Sequence, residues 1–135
     1  MFKSFFMENV FEGKTCKAAY VPEKKTVLFT LVGYANIEEH KEMYKAVFEY
    51  MKKQPVIAFM HDLRQMKGTF TQINDWLIET FRPAVELGLK YVALIMNDDA
   101  FTAFAANDIS KKMKIVELQM FRSQEDAESW IGSKL

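Results

Sequence analysis

Two short runs of consecutive apolar residues constrain this chain most: Val56-Ile57-Ala58-Phe59-Met60 and Tyr91-Val92-Ala93-Leu94-Ile95-Met96. An unbroken apolar run of this length reads as a strand buried on both faces. Such strands belong to parallel sheets with helices on the faces, and the sequence between the runs has the matching period. Ile73, Trp76, Leu77, Phe81, Ala84 and Val85 recur at helical spacing between them. Pro83 must kink that helix or sit in the first turn of a restart, and Gly88 is a natural stop. A third apolar stretch, residues 115–121, completes a strand–helix alternation toward the carboxyl end.

The amino-terminal third reads differently. Residues 14–21 and 26–32 are two strand-like runs joined by Pro22-Glu23-Lys24-Lys25, a turn signal. A link that short implies an antiparallel hairpin. Asn36 then caps a helix with Glu39 three residues on, close to the capping-box pattern. Its apolar face comprises Ile37, His40, Tyr44, Val47, Phe48 and Met51, and Lys52-Lys53 end it. Asn97-Asp98-Asp99 caps a third helix bearing Phe101, Phe104, Ala105 and Ile109. Ser123 with Asp126 three residues on opens a last helix carrying Ala127, Trp130, Ile131 and Leu135. The expected fold is α/β: a single mixed sheet of about five strands, an opening antiparallel hairpin followed by βαβ crossovers, with helices packed against it. The expected organisation is an apolar N-terminal segment over 1–13 and one domain over 14–135. Phe2, Phe5, Phe6 and Val10 recur near helical spacing, as a segment that packs on its own sheet, on a second subunit or on lipid.

Composition narrows the function. Eighteen Lys plus Arg balance eighteen Asp plus Glu, which argues against a nucleic-acid binder with its usual basic excess. The single Cys16 makes neither an internal disulfide nor a multi-thiolate metal site and fits a reducing compartment. No apolar run approaches the roughly 20 residues of a membrane-spanning helix. The N-terminus lacks the continuous apolar core of a secretory signal. The expected location is the cytoplasm, at most peripheral at the inner membrane surface.

No nucleophile–base–orienter set is legible, so no enzyme, metal or cofactor is expected. His61 and Asp62 are adjacent on a strand and point to opposite faces, so they form no dyad with each other. Cys16, His40 and His61 match no nucleophilic signature; Cys16 reads as a small buried hydrophobe and His40 as a hydrogen-bonded core residue. Open α/β sheets place ligands at the carboxyl ends of their strands, where helix amino-termini offer free amides to an anion. Asp62, Arg64, Thr69, Thr71, Asn97 and Asp98 are the residues expected there. Helix capping alone also accounts for the Asn97-Asp98-Asp99 cluster. Lys111-Lys112-Met113-Lys114 follows the Phe-bearing helix. It is either a solvated turn or, with Phe101 and Phe104, a face drawn to anionic lipid through Lys111 and Lys112.

Several local patterns resemble the SpoIIAA-like family of STAS/SEC14-like domains. They are Asn74-Asp75-Trp76-Leu77, the passage Pro83-Ala84-Val85-Glu86-Leu87-Gly88 running on into the next strand, and a strand–cap–helix passage. That last passage has Phe121 before the Ser123 cap and Ala127-Glu128-Ser129-Trp130-Ile131 after it, and it is the most specific of the three. The resemblance covers roughly residues 14–135. It implies a non-enzymatic module related to anti-sigma-factor antagonists and to lipid-carrying domains; with the strand-end amides and the amino-terminal Phe segment, the candidate associations are a small anionic or lipid ligand, a protein partner and a homodimer. It also implies a phosphoacceptor at the start of the helix after the middle strand. Asp62 is in place, the Ser-Gly pair is missing, and Thr69 and Thr71 are the candidate phosphoacceptors.

Overall fold

The computed structural model describes residues 6–34, 36–67, 73–100 and 114–135; in 73–80 only the side chain of Glu79 is described. Six strands form one sheet in sequence order: β1 (Glu8–Glu12), β2 (Cys16–Val21), β3 (Thr26–Tyr34), β4 (Ala58–Lys67), β5 (Tyr91–Ile95) and β6 (Glu117–Phe121). β1, β2 and β3 are antiparallel neighbours, and β3 to β6 are parallel. Helices α1 (Ile37–Met51), α2 (Ile73–Glu86) and α3 (Gln124–Gly132) complete the fold, and 98–100 begin a further helical turn. The mixed α/β sheet is the expected one, with six strands in place of about five. The extra strand comes from the Phe-rich amino-terminal stretch. Its near-helical spacing is not realised at 8–12, because the open edge of β2 offers those residues a hydrogen-bonded ladder. Val10 and Phe11 pack on the core, whereas Phe6 is exposed.

The alternation of side chains across each strand builds two unlike faces. On one, Phe29, Phe59, Leu63, Val92, Leu94 and Leu118 meet Met43, Tyr44, Val47 and Met51 of α1 and Phe81 and Ala84 of α2. On the other, Ala58, Met60, Ala93 and Ile95 meet Ala127 and Ile131 of α3. The alanines keep this second layer thin and let the short α3 lie close to the sheet. Trp130 closes its margin against Tyr91 and Phe121.

The caps are as expected. Asn36 Oδ1 accepts from the Glu39 amide, Asn97 Oδ1 from that of Ala100, and Ser123 Oγ from that of Asp126. α1 buries Met43, which the sequence stripe omits, and leaves Ile37 exposed. α2 runs through Pro83 without restarting. It ends in a Schellman turn: the Leu89 amide donates to the Ala84 carbonyl and the Gly88 amide to that of Val85.

β4 departs furthest from expectation. Residues 63–70 read as a connection, with His61 and Asp62 at a strand end. The strand instead continues to Lys67, because β3 is nine residues long and supplies partners for Gln65, Met66 and Lys67 beyond a bulge. The polar composition of Arg64, Gln65 and Lys67 hides this extension, which stands clear of β5.

Gly88 has φ +118°, a conformation open only to glycine at low cost, and an added Cβ would meet nothing closer than 3.6 Å. The strain of Gly88→Ala is therefore in the backbone. We expect it to lower stability by about 1–3 kcal/mol in chemical denaturation, while Gly132→Ala, with nothing within 4 Å and no positive φ, leaves stability unchanged or slightly raised.

Candidate functional site

His61 lies in the middle of the sheet, 1% exposed, on the face covered by α1 and α2. Its ring stacks on Phe29 at 4.2 Å and 7° and packs near Phe59 and Phe81. Nε2 is 2.7 Å from the Tyr44 hydroxyl. Nδ1 is buried and has no hydrogen-bond partner among the described residues. Burial, and secondarily the charge of His40, depress its pKa to about 3. Burial lowers that of His40 as well, against the pull of Glu39. Burial also raises the Tyr44 phenol well above 10, so a neutral imidazole meets a neutral hydroxyl. The imidazole is thus sealed from solvent.

Cys16 sits at the edge of the same layer. Burial and then the charge of Glu39 push its thiol up to about 12, so it is not a thiolate at neutral pH. Glu39 itself is gripped by the β1–β2 turn. Its carboxylate accepts from the Thr15 hydroxyl and amide, both at 2.6 Å, and from the Lys14 amide at 3.2 Å. The Thr15 hydroxyl and then the Thr15 amide hold its pKa near 2. This contact ties the hairpin to the first turn of α1, and the sequence hides it, since a glutamate three residues after a cap is already explained by the cap. Gly13 is the remaining signal: a Cβ there would stand 2.6 Å from the Glu39 carboxyl carbon.

Asp62 points to the opposite face from His61, as adjacency on a strand requires. Its carboxylate takes a two-point grip from Arg64, Nε to Oδ1 at 2.9 Å and Nη2 to Oδ2 at 2.8 Å, and accepts from the Arg64 amide at 3.2 Å. The Asp62 side chain is 12% exposed and that of Arg64 39%. The guanidinium is thus held in one orientation by a planar fork and still reaches solvent. Its Nη1 has no partner among the described residues.

The structure brings Asp62 and Arg64 together. Asp62 pairs in register with Ile95, the last residue of β5, and Asn97 follows two residues later. Asn97 holds its helix cap, and Asp98 pairs with Arg122 at 3.1 Å with both side chains exposed. Thr69, Thr71, Phe101, Phe104, Lys111 and Lys112 lie outside the described residues. Among the described residues no three His, Cys, Asp or Glu side chains cluster to hold a metal. No helix among them is long and apolar enough to cross a membrane.

Two solved structures are similar over nearly the whole chain. One is an uncharacterised protein of the DUF3478 family with a SpoIIAA-like fold from Shewanella loihica PV-4. It matches with a TM-score of 0.58 at 17% identity, over 94% of this chain and 93% of its own. Another is the anti-sigma factor antagonist SpoIIAA in its unphosphorylated form, with a TM-score of 0.54 at 10% identity, over 96% of this chain and 97% of its own. No family model and no curated protein matches the sequence. The chain has the SpoIIAA-like fold.

The buried groups set an acid limit on stability. His61 binds a proton near pH 6.5 when unfolded and near pH 3 when folded. Stability is therefore complete above pH 6.5 and falls as pH drops from there toward 3, by about 1.4 kcal/mol per unit for this one proton. Glu39 acts in the same direction, with its contribution present above 4.5 and lost toward 2. Urea midpoints measured from pH 7 to 4.5 should decline in the native protein and decline by about one proton less in His61→Leu. Equal slopes would refute the assignment.

Proposed function

We propose that this chain is a non-enzymatic binding or regulatory module of the SpoIIAA-like type, holding a small anionic or lipid ligand beside Asp62 and Arg64, where β4 passes the carboxyl end of β5. The observation that carries the reading is the Asp62–Arg64 fork. A guanidinium fixed by a carboxylate and still open to solvent is prepared to receive a phosphate or carboxylate without first being ordered. Asn97 and Asp98 would border the ligand, with Thr69 and Thr71 contributing from the connection that follows β4. The SpoIIAA-like fold supports a module of this kind. The seclusion of His61 and the protonated state of Cys16 count against chemistry by the two groups best suited to it. Phe101, Phe104, Lys111 and Lys112 would turn toward a membrane surface when the ligand is a lipid. The balanced charge and the lone cysteine favour the cytoplasm, with peripheral contact at the inner membrane surface.

A second reading is a protein-binding switch controlled by phosphorylation at Thr69 or Thr71. It is favoured by the match to an anti-sigma factor antagonist solved in its unphosphorylated form. Native mass spectrometry of the protein purified from its own host separates the two. The ligand reading expects an added mass, with a phosphate or carboxylate headgroup, that is retained by the native protein. Arg64→Gln should weaken retention by roughly 10- to 100-fold, the loss of a charged hydrogen bond. An unliganded spectrum carrying 80-dalton phosphate increments (about one phosphoryl group each) that map to Thr69 or Thr71 would instead establish the switch.

A further inference from the structure

α1 and α2 both return antiparallel to the parallel strands they connect, so they lie side by side and run in the same direction. Between them is a groove of about 520 Å³. Its apolar floor is Tyr44, Phe48, Pro83 and Leu87. Its two walls carry opposite charge. Lys41 and Lys45 rise from α1, one turn apart, while Glu79 and Glu86 rise from α2, two turns apart. Lys52 belongs to the same α1 wall and is neutralised by Glu49 at 2.8 Å. Lys41 reaches Glu38 at 3.9 Å, with both side chains largely in solvent. Lys45, Glu79 and Glu86 have no ion pair among the described residues. Pro83 adds a polar feature: having no N–H, it cannot donate to the Glu79 carbonyl one turn earlier.

A surface whose left wall is basic, right wall acidic and floor apolar is complementary to itself. Rotation by 180° about an axis along the groove places the basic wall of one copy over the acidic wall of the other, with both floors facing. We propose that the α1–α2 groove is the interface of a two-fold dimer of this chain, Lys41 and Lys45 of each copy meeting Glu79 and Glu86 of the other. Closed two-fold pairing is the commonest arrangement of identical chains and requires this kind of self-complementary patch. The charges set its register and orientation, and Phe48, Pro83 and Leu87 supply the apolar centre. The groove lies on the helical layer and shares no residue with the Asp62–Arg64 site, so its failure would leave the ligand reading intact.

Sedimentation velocity on three purified proteins tests this. The native chain should dimerise reversibly, and its dimer should weaken as salt is raised. Lys41→Glu with Lys45→Glu makes both walls acidic; Glu79→Lys with Glu86→Lys makes both basic. Each double variant should be monomeric, with its Kd raised roughly tenfold or more. All four residues are on the surface, so circular dichroism should report both variants folded. An equimolar mixture should then form a heterodimer, because each acidic wall again meets a basic one. A monomeric native chain, a dimer that survives in either variant, or a mixture that stays monomeric would overturn the proposal.

Discussion

Phe11, Ala18, Phe29, His61, Leu94 and Met120 stand in one row across all six strands, each opposite the next in register. The centre of that row is the stack of Phe29 on His61, on which α1 lays Tyr44 and α2 lays Phe81. The row fixes which residues face the helices, since a slip of one residue in any strand would send its whole apolar set to the other side. A histidine at this position keeps the polar demand of the core specific. Tyr44 is the residue on α1 that reaches Nε2, so the pair ties the rotation of the helix to the ring.

The opposite face is held by less. Small residues on β4, β5 and α3 make a thin layer, and Tyr91, Phe121 and Trp130 pack against its margin. Lys134 extends over both Tyr91 and Trp130 and pairs with Glu117, joining the last turn of the chain to β6. Asp62 and Arg64 lie on this side of β4, beyond the Ala58 and Met60 positions that meet α3. The two faces are therefore unlike: one carries the large apolar core, and the other a thin apolar layer beside a charged pair.

Much of this was legible in the sequence because it rests on periodicity. The buried runs of β4 and β5, the hairpin before them and the Asn36, Asn97 and Ser123 caps all follow from local rules that tertiary structure did not override. Other features depend on partners distant in sequence. Residues 63–67 look like a loop because their strand character comes from the length of β3. Met43 escaped because α1 turns it toward the sheet in place of Ile37. Of the candidate site, the residue types Asp62 and Arg64 were readable from their place after a buried run, but not the fork between them, which needs two side chains on the same face of an extended β4. The grip of Thr15 on Glu39 joins residues 24 apart and leaves no trace in either segment taken singly.

The extension of β4 has a mechanical consequence. From Asp62 to Lys67 the strand covers about 17 Å at strand rise, and beyond Asp62 only β3 is paired with it among the described residues. A two-stranded ribbon twists more freely than a sheet. The Asp62–Arg64 fork spans the root of this ribbon, where it leaves the sheet. A rotation of a few degrees at that root becomes a displacement of an ångström or more at the tip.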